Sequence, residues 1–148
     1  AGREIPGFFD YKMLPLEGFW WMEGLCGMDY ARKADFQWIS VIRLPDFITQ
    51  EDFDWAVIEG GRKKQMDLSP VTLWRHREGL CVQCMHKGPY DAEPETVRTM
   101  DAYALEQGCA LDFSEARRHH ETYLKDPRKS AAENLLTVIR HPVRRQAD

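Results

Sequence analysis

The chain has 148 residues, of which 43% are hydrophobic and 30% are charged, a balance that fits one globular domain over residues 1–148. Its formal net charge of −4 argues against the basic surface that nucleic acids and anionic membranes attract. No apolar run approaches the roughly 18 residues of a spanning helix and no signal peptide is recognisable, so we expect a cytoplasmic protein with reduced cysteines.

Two strands are predicted before the first helix. The first covers residues 9–22, which contain many β-forming aromatic side chains but are interrupted by Pro15 and Gly18. We therefore expect a strand, or a bent edge strand, rather than a helix. In extended backbone the adjacent Trp20 and Trp21 point to opposite faces.

The second strand is predicted over residues 36–44. Apolar side chains, Trp38 among them, occupy both alternating sets of positions, which predicts a strand covered on both faces. A helix should follow, because Thr49 and Asp52 resemble a capping box. Apolar residues at helical spacing then continue to about Lys64.

The second half of the chain is predicted to contain a hairpin, a long helix, a strand, a short capped helix and a last strand. In chain order these elements cover residues 71–76 and 80–87, 94–108, 117–124, 130–136 and 138–143. There is no glycine-rich phosphate loop and no regular alternation of strands and helices. The order indicates an α+β fold with a largely antiparallel sheet and weak internal symmetry.

Three motifs that could carry chemistry are incomplete. Cys81 and Cys84 form a lone CxxC whose thiols would face opposite sides of a strand, which argues against a zinc or redox site. His120 and Glu121 could begin an HExxH zinc motif, but the closing position is Leu124. The GxSxG turn of a triad hydrolase is also missing. We predict no metal site and no cofactor.

The strand predicted over residues 117–124 places His119, Glu121 and Tyr123 on one face. Spacing alone is equally compatible with a polar face turned to solvent. The chain also contains five Trp, five Tyr and seven Phe, which is more than so small a core needs. Surplus rings beside an acid suit a cationic or electron-poor ligand, so we favour a binding cleft.

The segments PLEGFWW, HKGPYD, HHETYLKDPR and LLTVIRHPV together resemble the GyrI-like small-molecule-binding domains over residues 9–143. The resemblance implies two strand-helix-strand-strand modules related by a pseudo-twofold axis, with a ligand cleft between them. The first strand and helix of that pattern are absent, so we expect an incomplete first module. A homodimer partner, or a segment that precedes residue 1, would cover the exposed sheet.

The resemblance also assigns site residues. A glutamate on the late strand faces the cleft in this family, and the matching residue is Glu121, with aromatic walls that match Trp20 or Trp21, Tyr90 and Tyr123. The predicted ligand-binding set comprises Trp20, Trp21, Trp38, Tyr90, His119, Glu121 and Tyr123. Glu121 and Tyr123 form the predicted catalytic pair.

The family's known activities imply several functions. The chain is most similar to stand-alone members, some of which resemble hydrolases that open the cyclopropane of DNA-alkylating natural products. We expect binding of bulky, flat aromatic and often cationic molecules, as in multidrug binding or xenobiotic detoxification. Hydrolysis would use Glu121 to activate water, with Tyr123 or Tyr90 donating to the developing oxyanion. The alternative is a non-catalytic gyrase inhibitor or the effector domain of a transcription regulator.

Overall fold

The computed structural model describes residues 4–146, which divide into two compact units. The smaller unit consists of residues 4–14 together with Arg43–Arg77, and the larger consists of Pro15–Ile42 together with residues 78–146. Within the described part of the chain, no helix has the length and apolar character needed to cross a membrane.

Helix α1 (Gln50–Lys64) lies in the smaller unit. The backbone N–H of Asp52 donates to Thr49 Oγ1 at 3.2 Å, and the N–H of Thr49 donates to Asp52 Oδ2 at 3.1 Å. These reciprocal bonds satisfy two N–H groups that have no partner in the helix, and they confirm the predicted helix start.

Residues 9–14, which were predicted to belong to the first strand, contain no strand residues. Their rings pack instead around Phe47, with Phe9 at 5.1 Å and Tyr11 at 6.0 Å between ring centroids. This part of the strand prediction was wrong, because the aromatic side chains cluster with one another rather than line a sheet.

The larger unit contains a six-stranded sheet in which every pair is antiparallel. Its strands are β1 (Leu16–Trp21), β2 (Gln37–Ile42), β3 (Cys81–Lys87), β4 (Cys109–Leu111), β5 (His119–Tyr123) and β6 (Leu136–Arg145). Their spatial order is β2-β1-β5-β6-β3, and the short β4 pairs with the far end of β6. The predicted mixed fold with a largely antiparallel sheet is confirmed.

Helix α2 (Glu93–Glu106) packs on this sheet. Val97 and Met100 from its buried side form the core with Ile139 of β6, which is fully buried. Pro94 lies in the first turn, where its missing N–H removes no helical hydrogen bond. The predicted second helix is therefore present.

The predicted hairpin is wrong in its first half. Residues 71–76 form no strand, and β3 pairs along its whole length with β6, from Cys81 opposite Pro142 to Lys87 opposite Leu136. The turn of the predicted hairpin, residues 77–79, is held to the sheet, because Arg117 donates to the backbone oxygens of Glu78 and Leu80. Pairing with a remote ten-residue strand replaces the local pairing that the short turn suggested.

Two further predictions need correction. β2 is an edge strand in which five of the six residues are exposed, so it is not covered on both faces. Only the 3-10 turn Ala132–Asn134 forms where a capped helix was predicted, and no side chain caps it. β6 begins at Leu136, the last residue of the predicted helix, which pairs with Lys87 of β3 instead. Cover of the sheet by a partner chain or by a preceding segment stays a prediction that concerns residues outside 4–146.

The face of β5 that is turned away from His119 carries an ionic cluster. His120 stacks on Phe19 with ring centroids 4.1 Å apart, and its nitrogens lie 2.6 Å from Glu78 Oε1 and 2.6 Å from Glu17 Oε2. Burial lowers the pKa of His120, but the hydrogen bonds to Glu17 and Glu78 outweigh it and raise the pKa overall. The carboxylates of Glu17 and Glu78 therefore favour the charged form of this buried imidazole.

We predict that His120→Gln lowers the free energy of unfolding by about 2 kcal/mol at about pH 6, because charged hydrogen bonds are lost. Because the pKa of His120 is higher in the folded protein than in the unfolded chain, its charged form stabilises the fold fully below the unfolded imidazole pKa of about 6.5. That stabilisation is lost as the pH rises through the folded-state pKa. The difference between wild type and variant, measured by urea unfolding, should therefore shrink as pH rises. A difference that is constant with pH would contradict an imidazolium at this position.

Candidate functional site

A cavity of about 760 Å³ opens on the side of the sheet that carries Glu121. β1, β2 and β5 supply the floor, and the start of α2 and the turn Tyr30–Asp35 supply the sides. The aromatic and acidic lining residues are Trp20, Tyr30, Phe36, Trp38, Tyr90, Glu93, Glu121, Tyr123 and Asp126.

Strand register brings the floor residues together. Gly18 of β1 lies opposite Glu121 of β5, and Trp20 lies opposite Trp38 of β2. A Cβ on Gly18 would lie 2.7 Å from Trp20 Nε1 and 3.0 Å from the hydroxyl of Tyr123. Glycine is therefore needed at this position, because the Trp20 and Tyr123 side chains occupy the space that a larger residue would fill.

Two pairs of aromatic rings line the cavity. Trp20 and Trp38 lie 5.4 Å apart with planes inclined by 31°, and Tyr90 meets Tyr123 edge to face at 6.0 Å. Trp38 is 57% exposed, so a large apolar ring stands open at the cavity edge. Such a surface is suited to stacking against a flat ligand.

Glu121 is the acid at the floor, and it is 7% exposed. Its Oε1 lies 2.8 Å from His119 Nε2, and its Oε2 accepts from the Tyr123 hydroxyl at 2.6 Å. An ionised carboxylate can only accept, so Tyr123 is the donor in the second bond, and its oxygen accepts in turn from Trp20 Nε1 at 2.9 Å. The single hydroxyl proton of Tyr123 is thus engaged with Glu121.

Glu121 is held ionised by these partners. Burial alone would raise its pKa, but the hydrogen bond and the electrostatic interaction with His119, together with the hydrogen bond from Tyr123, lower the pKa below its ordinary value. The pKa of Tyr123 is raised by burial and by the charge of Glu121, so its hydroxyl stays protonated. The cavity therefore contains a buried carboxylate with a fixed orientation.

A line of hydrogen bonds continues behind Glu121. His119 Nδ1 lies 2.7 Å from His141 Nε2, and His141 Nδ1 lies 2.6 Å from Asp101 Oδ1 on α2. Burial lowers the pKa of His141. We refer to Glu121, His119, His141 and Asp101 as the buried chain.

Glu93, the first residue of α2, is a second acid beside Glu121 and is only 3% exposed. Burial and the charge of Glu121 raise its pKa to about 9. Its Oε1 has no hydrogen-bond partner among the described residues, and neither has the buried hydroxyl of Tyr30. A neutral carboxylic acid and an ionised carboxylate thus face the same cavity, an arrangement that separates a proton donor from a proton acceptor.

The residues of the predicted ligand-binding set do not all lie in this cavity. Trp20, Trp38, Tyr90, Glu121 and Tyr123 line it. His119 is 1% exposed and does not line the cavity. It contacts the lining through its hydrogen bond to Glu121. Trp21 lies on the other face, where the guanidinium of Arg118 is 3.6 Å from its ring centroid, and it lines a separate cavity of about 470 Å³.

Sequence reasoning missed Glu93, Tyr30, Asp101 and His141. One signal for Glu93 was present, because the buried residues of α2 are 93, 97, 100 and 104, so a glutamate begins the apolar stripe. A carboxylate in a buried stripe requires a partner or a proton. Among residues 4–146, no group of three or more His, Cys, Asp or Glu side chains is arranged to hold a metal ion.

Comparisons with a family model and with solved structures point to one family. The model of the GyrI-like small molecule binding domain matches residues 46–144. Three solved structures from Listeria innocua share the fold: a hydrolase (37% identity, TM-score 0.86), an uncharacterized conserved protein (41%, 0.89) and another hydrolase (40%, 0.84). The alignments cover 97% of this chain and 69%, 70% and 70% of those chains, respectively. No curated protein sequence is significantly similar.

We predict that Glu93→Gln stabilises the protein in a pH-dependent way. An acid with a pKa near 4.5 when unfolded and about 9 when folded lowers stability progressively as pH rises between those values. The amide of Gln does not titrate, so it avoids this loss of stability. The free energy of unfolding of the variant should be about 3 kcal/mol higher than that of wild type near pH 7 and equal to it below pH 4.5. Urea unfolding across pH measures the difference. Destabilisation by the same amount at every pH would show that Glu93 is not a buried neutral acid.

Proposed function

The chain belongs to the GyrI-like small-molecule-binding domains, and from that premise we propose that its cavity captures bulky, flat aromatic molecules, often cationic, and hydrolyses activated electrophiles among them. One observation carries the proposal. An ionised, buried carboxylate, Glu121, lies at the floor of an open cavity whose walls are aromatic.

The cavity has the size and lining for such ligands. Sites for drug-sized molecules typically occupy about 300 to 1,000 Å³, and this cavity is about 760 Å³. Each well-packed ring pair contributes roughly 0.5 to 1.5 kcal/mol beyond burial, and a desolvated cation over a ring contributes about 2 kcal/mol. At the rim, Arg128 and Asp126 pair at 2.9 Å, and Lys33, which also lines the cavity, pairs with Asp91. Lys125 is a further cation of the lining, and Glu121 is the ionised carboxylate at the floor.

Hydrolysis would use the two acids in different roles. Glu121 removes a proton from water as the oxygen bonds to the electrophilic carbon. In a cyclopropanoid substrate the strained C–C bond then breaks, and its electron pair moves to a conjugated oxygen, which takes a proton. Glu93, as the neutral acid, is the donor suited to that step, with Tyr90 as a second hydrogen-bond donor.

Tyr123 has a supporting role in this proposal. Its hydroxyl proton is engaged with Glu121 and its oxygen accepts from Trp20, so it orients the base. Two of the similar Listeria innocua structures are described as hydrolases, which favours turnover over simple sequestration. A sensor or a gyrase-interacting protein would use the same cavity without changing its ligand.

We predict that Trp38→Ala weakens binding of flat dyes about tenfold, or about 1.4 kcal/mol, because one exposed wall ring is lost. Folding stability should change little, since Trp38 is 57% exposed on an edge strand. Fluorescence titration with a planar cationic dye measures the affinity. Trp55→Ala, which removes a 42% exposed ring from α1, is the matched control and should bind as wild type does. If Trp38→Ala and Trp55→Ala bind the dye with equal affinity, the ring of Trp38 has no part in ligand binding.

We predict that Glu121→Gln separates the two parts of this function. The amide keeps size but loses charge and basicity, so affinity for planar cations should fall while neutral flat ligands bind as before. Turnover of a spirocyclopropane alkylator, followed as a mass gain of one water, should drop by roughly 10² to 10⁴.

The exposed Glu133 provides the matched control, and Glu133→Gln should leave both measurements unchanged. If wild type and Glu121→Gln show equal cation affinity and equal turnover, Glu121 has no part in the function. Cation binding that depends on Glu121 without any turnover would favour sequestration or sensing.

A further inference from the structure

His86 is a buried side chain of β3 that takes no part in the chemistry proposed above. It is 4% exposed and lies opposite Thr137 of β6, which in turn lies opposite Tyr123 of β5. Residues that lie directly opposite each other in a sheet point to the same face. His86 is therefore on the face that carries Glu121, two strands away from the cavity floor.

Both ring nitrogens of His86 bind the segment that contains the start of α2. Nε2 lies 3.1 Å from the backbone oxygen of Pro89, and Nδ1 lies 2.8 Å from Thr96 Oγ1. A carbonyl oxygen can only accept, so in the neutral imidazole Nε2 carries the proton. Nδ1 then accepts, and the hydroxyl of Thr96 donates to it. The two partners thus fix the tautomer of the ring.

The carbonyl of Pro89 also closes the turn before α2. The N–H of Ala92 donates to the same oxygen at 2.9 Å, so this oxygen accepts two hydrogen bonds. The chain reaches this position through Gly88, whose φ of 133° favours glycine and whose N–H donates to the backbone oxygen of Leu135 at 3.0 Å. His86 consequently holds the turn at its first residue.

The second bond holds the first turn of the helix. Thr96 follows Glu93 by three residues, so the two side chains are neighbours on the helix surface. The bond from Thr96 to His86 therefore limits rotation of this turn about the helix axis. Glu93 lies between the two attachments, at positions 89 and 96, and is 3% exposed.

We propose that His86 is a positioning residue, which holds the carboxyl group of Glu93 in the cavity beside Glu121. This positioning rests on the proposed function, in which neutral Glu93 is the proton donor. His86 itself does not line the cavity, so it acts only through the segment that it holds.

The protonation of Glu93 depends on its place. Burial and the charge of Glu121 raise its pKa to about 9. Tyr30 and Lys33, from the turn before β2, and Tyr90, from the turn before α2, also interact electrostatically with Glu93. Outward movement of the first helical turn would admit water and lengthen the distance to Glu121. Both changes lower the pKa of Glu93 toward its ordinary value.

Thr96→Val removes one attachment and keeps the size of the side chain. The pKa of Glu93, followed by carbon NMR of protein labelled at the glutamate carboxyl groups, should fall by roughly one unit. Thr96→Ser retains the hydroxyl and should titrate as wild type does. Thr99→Val is the matched control, because the Thr99 hydroxyl bonds only to the backbone oxygen of Glu95 in its own helix, at 3.1 Å. It should leave the pKa of Glu93 unchanged.

These titrations separate positioning from support of the fold. A bond that only stabilises the fold would change the free energy of unfolding and leave the pKa of Glu93 unchanged, and that result would overturn the positioning role. His86→Gln places an amide donor near the position of Nε2 but no acceptor at the position of Nδ1. It should lower the pKa of Glu93 as Thr96→Val does, and the double variant should show no larger shift. Shifts that add in the double variant would contradict a shared bond.

Turnover separates this inference from the function on which it rests. The alkaline limb of kcat/KM reports the acid of the free enzyme, so in Thr96→Val it should move down by the same shift, with a rate about tenfold lower well above pH 9. If Glu93→Gln lowers turnover while Thr96→Val changes neither the pKa of Glu93 nor this limb, positioning by His86 is wrong and the proposed function stands. If Glu93→Gln turns over normally, the proposed proton donor is wrong, and the pKa of Glu93 in Thr96→Val still decides the positioning.

Discussion

A carboxylate stays ionised inside a protein only when donors replace the water it has lost, and the arrangement around Glu121 follows from that requirement. His119 and Tyr123 bind its two oxygens from positions two residues away on the same strand. Each donor is held in turn, Tyr123 by Trp20 of β1 and His119 by His141 of β6. The strands on both sides of β5 are therefore needed to position one acid.

The same requirement explains the second acid. α2 begins at Glu93, so its buried stripe brings a carboxyl group to the cavity that already contains Glu121. Two adjacent charges in a poorly solvated space repel each other, and one of the groups takes up a proton. Because Glu121 has the better donors, Glu93 is the group that becomes neutral. The difference between the two acids thus arises from packing and not from their chemical type.

Local patterns in the sequence were sufficient for several elements. Thr49 and Asp52 marked a helix start correctly, and alternation placed His119, Glu121 and Tyr123 on one face of β5. The hairpin failed because β3 pairs with β6, which follows it by about fifty residues and which no local rule identifies. Likewise, Asp101 and His141 meet only because α2 packs across β6, so spacing could not connect them. The choice between Trp20 and Trp21 depended on which face of β1 lies on the same side of the sheet as Glu121.

The central claim is that the cavity contains one ionised and one neutral glutamate, and carbon NMR of protein labelled at the glutamate carboxyl groups tests it most directly. Near neutral pH, one carboxyl signal should have the shift of a protonated acid and should disappear in Glu93→Gln. The signal that disappears in Glu121→Gln should have the shift of a carboxylate. Two ionised signals, or a protonated Glu121 beside an ionised Glu93, would contradict the account.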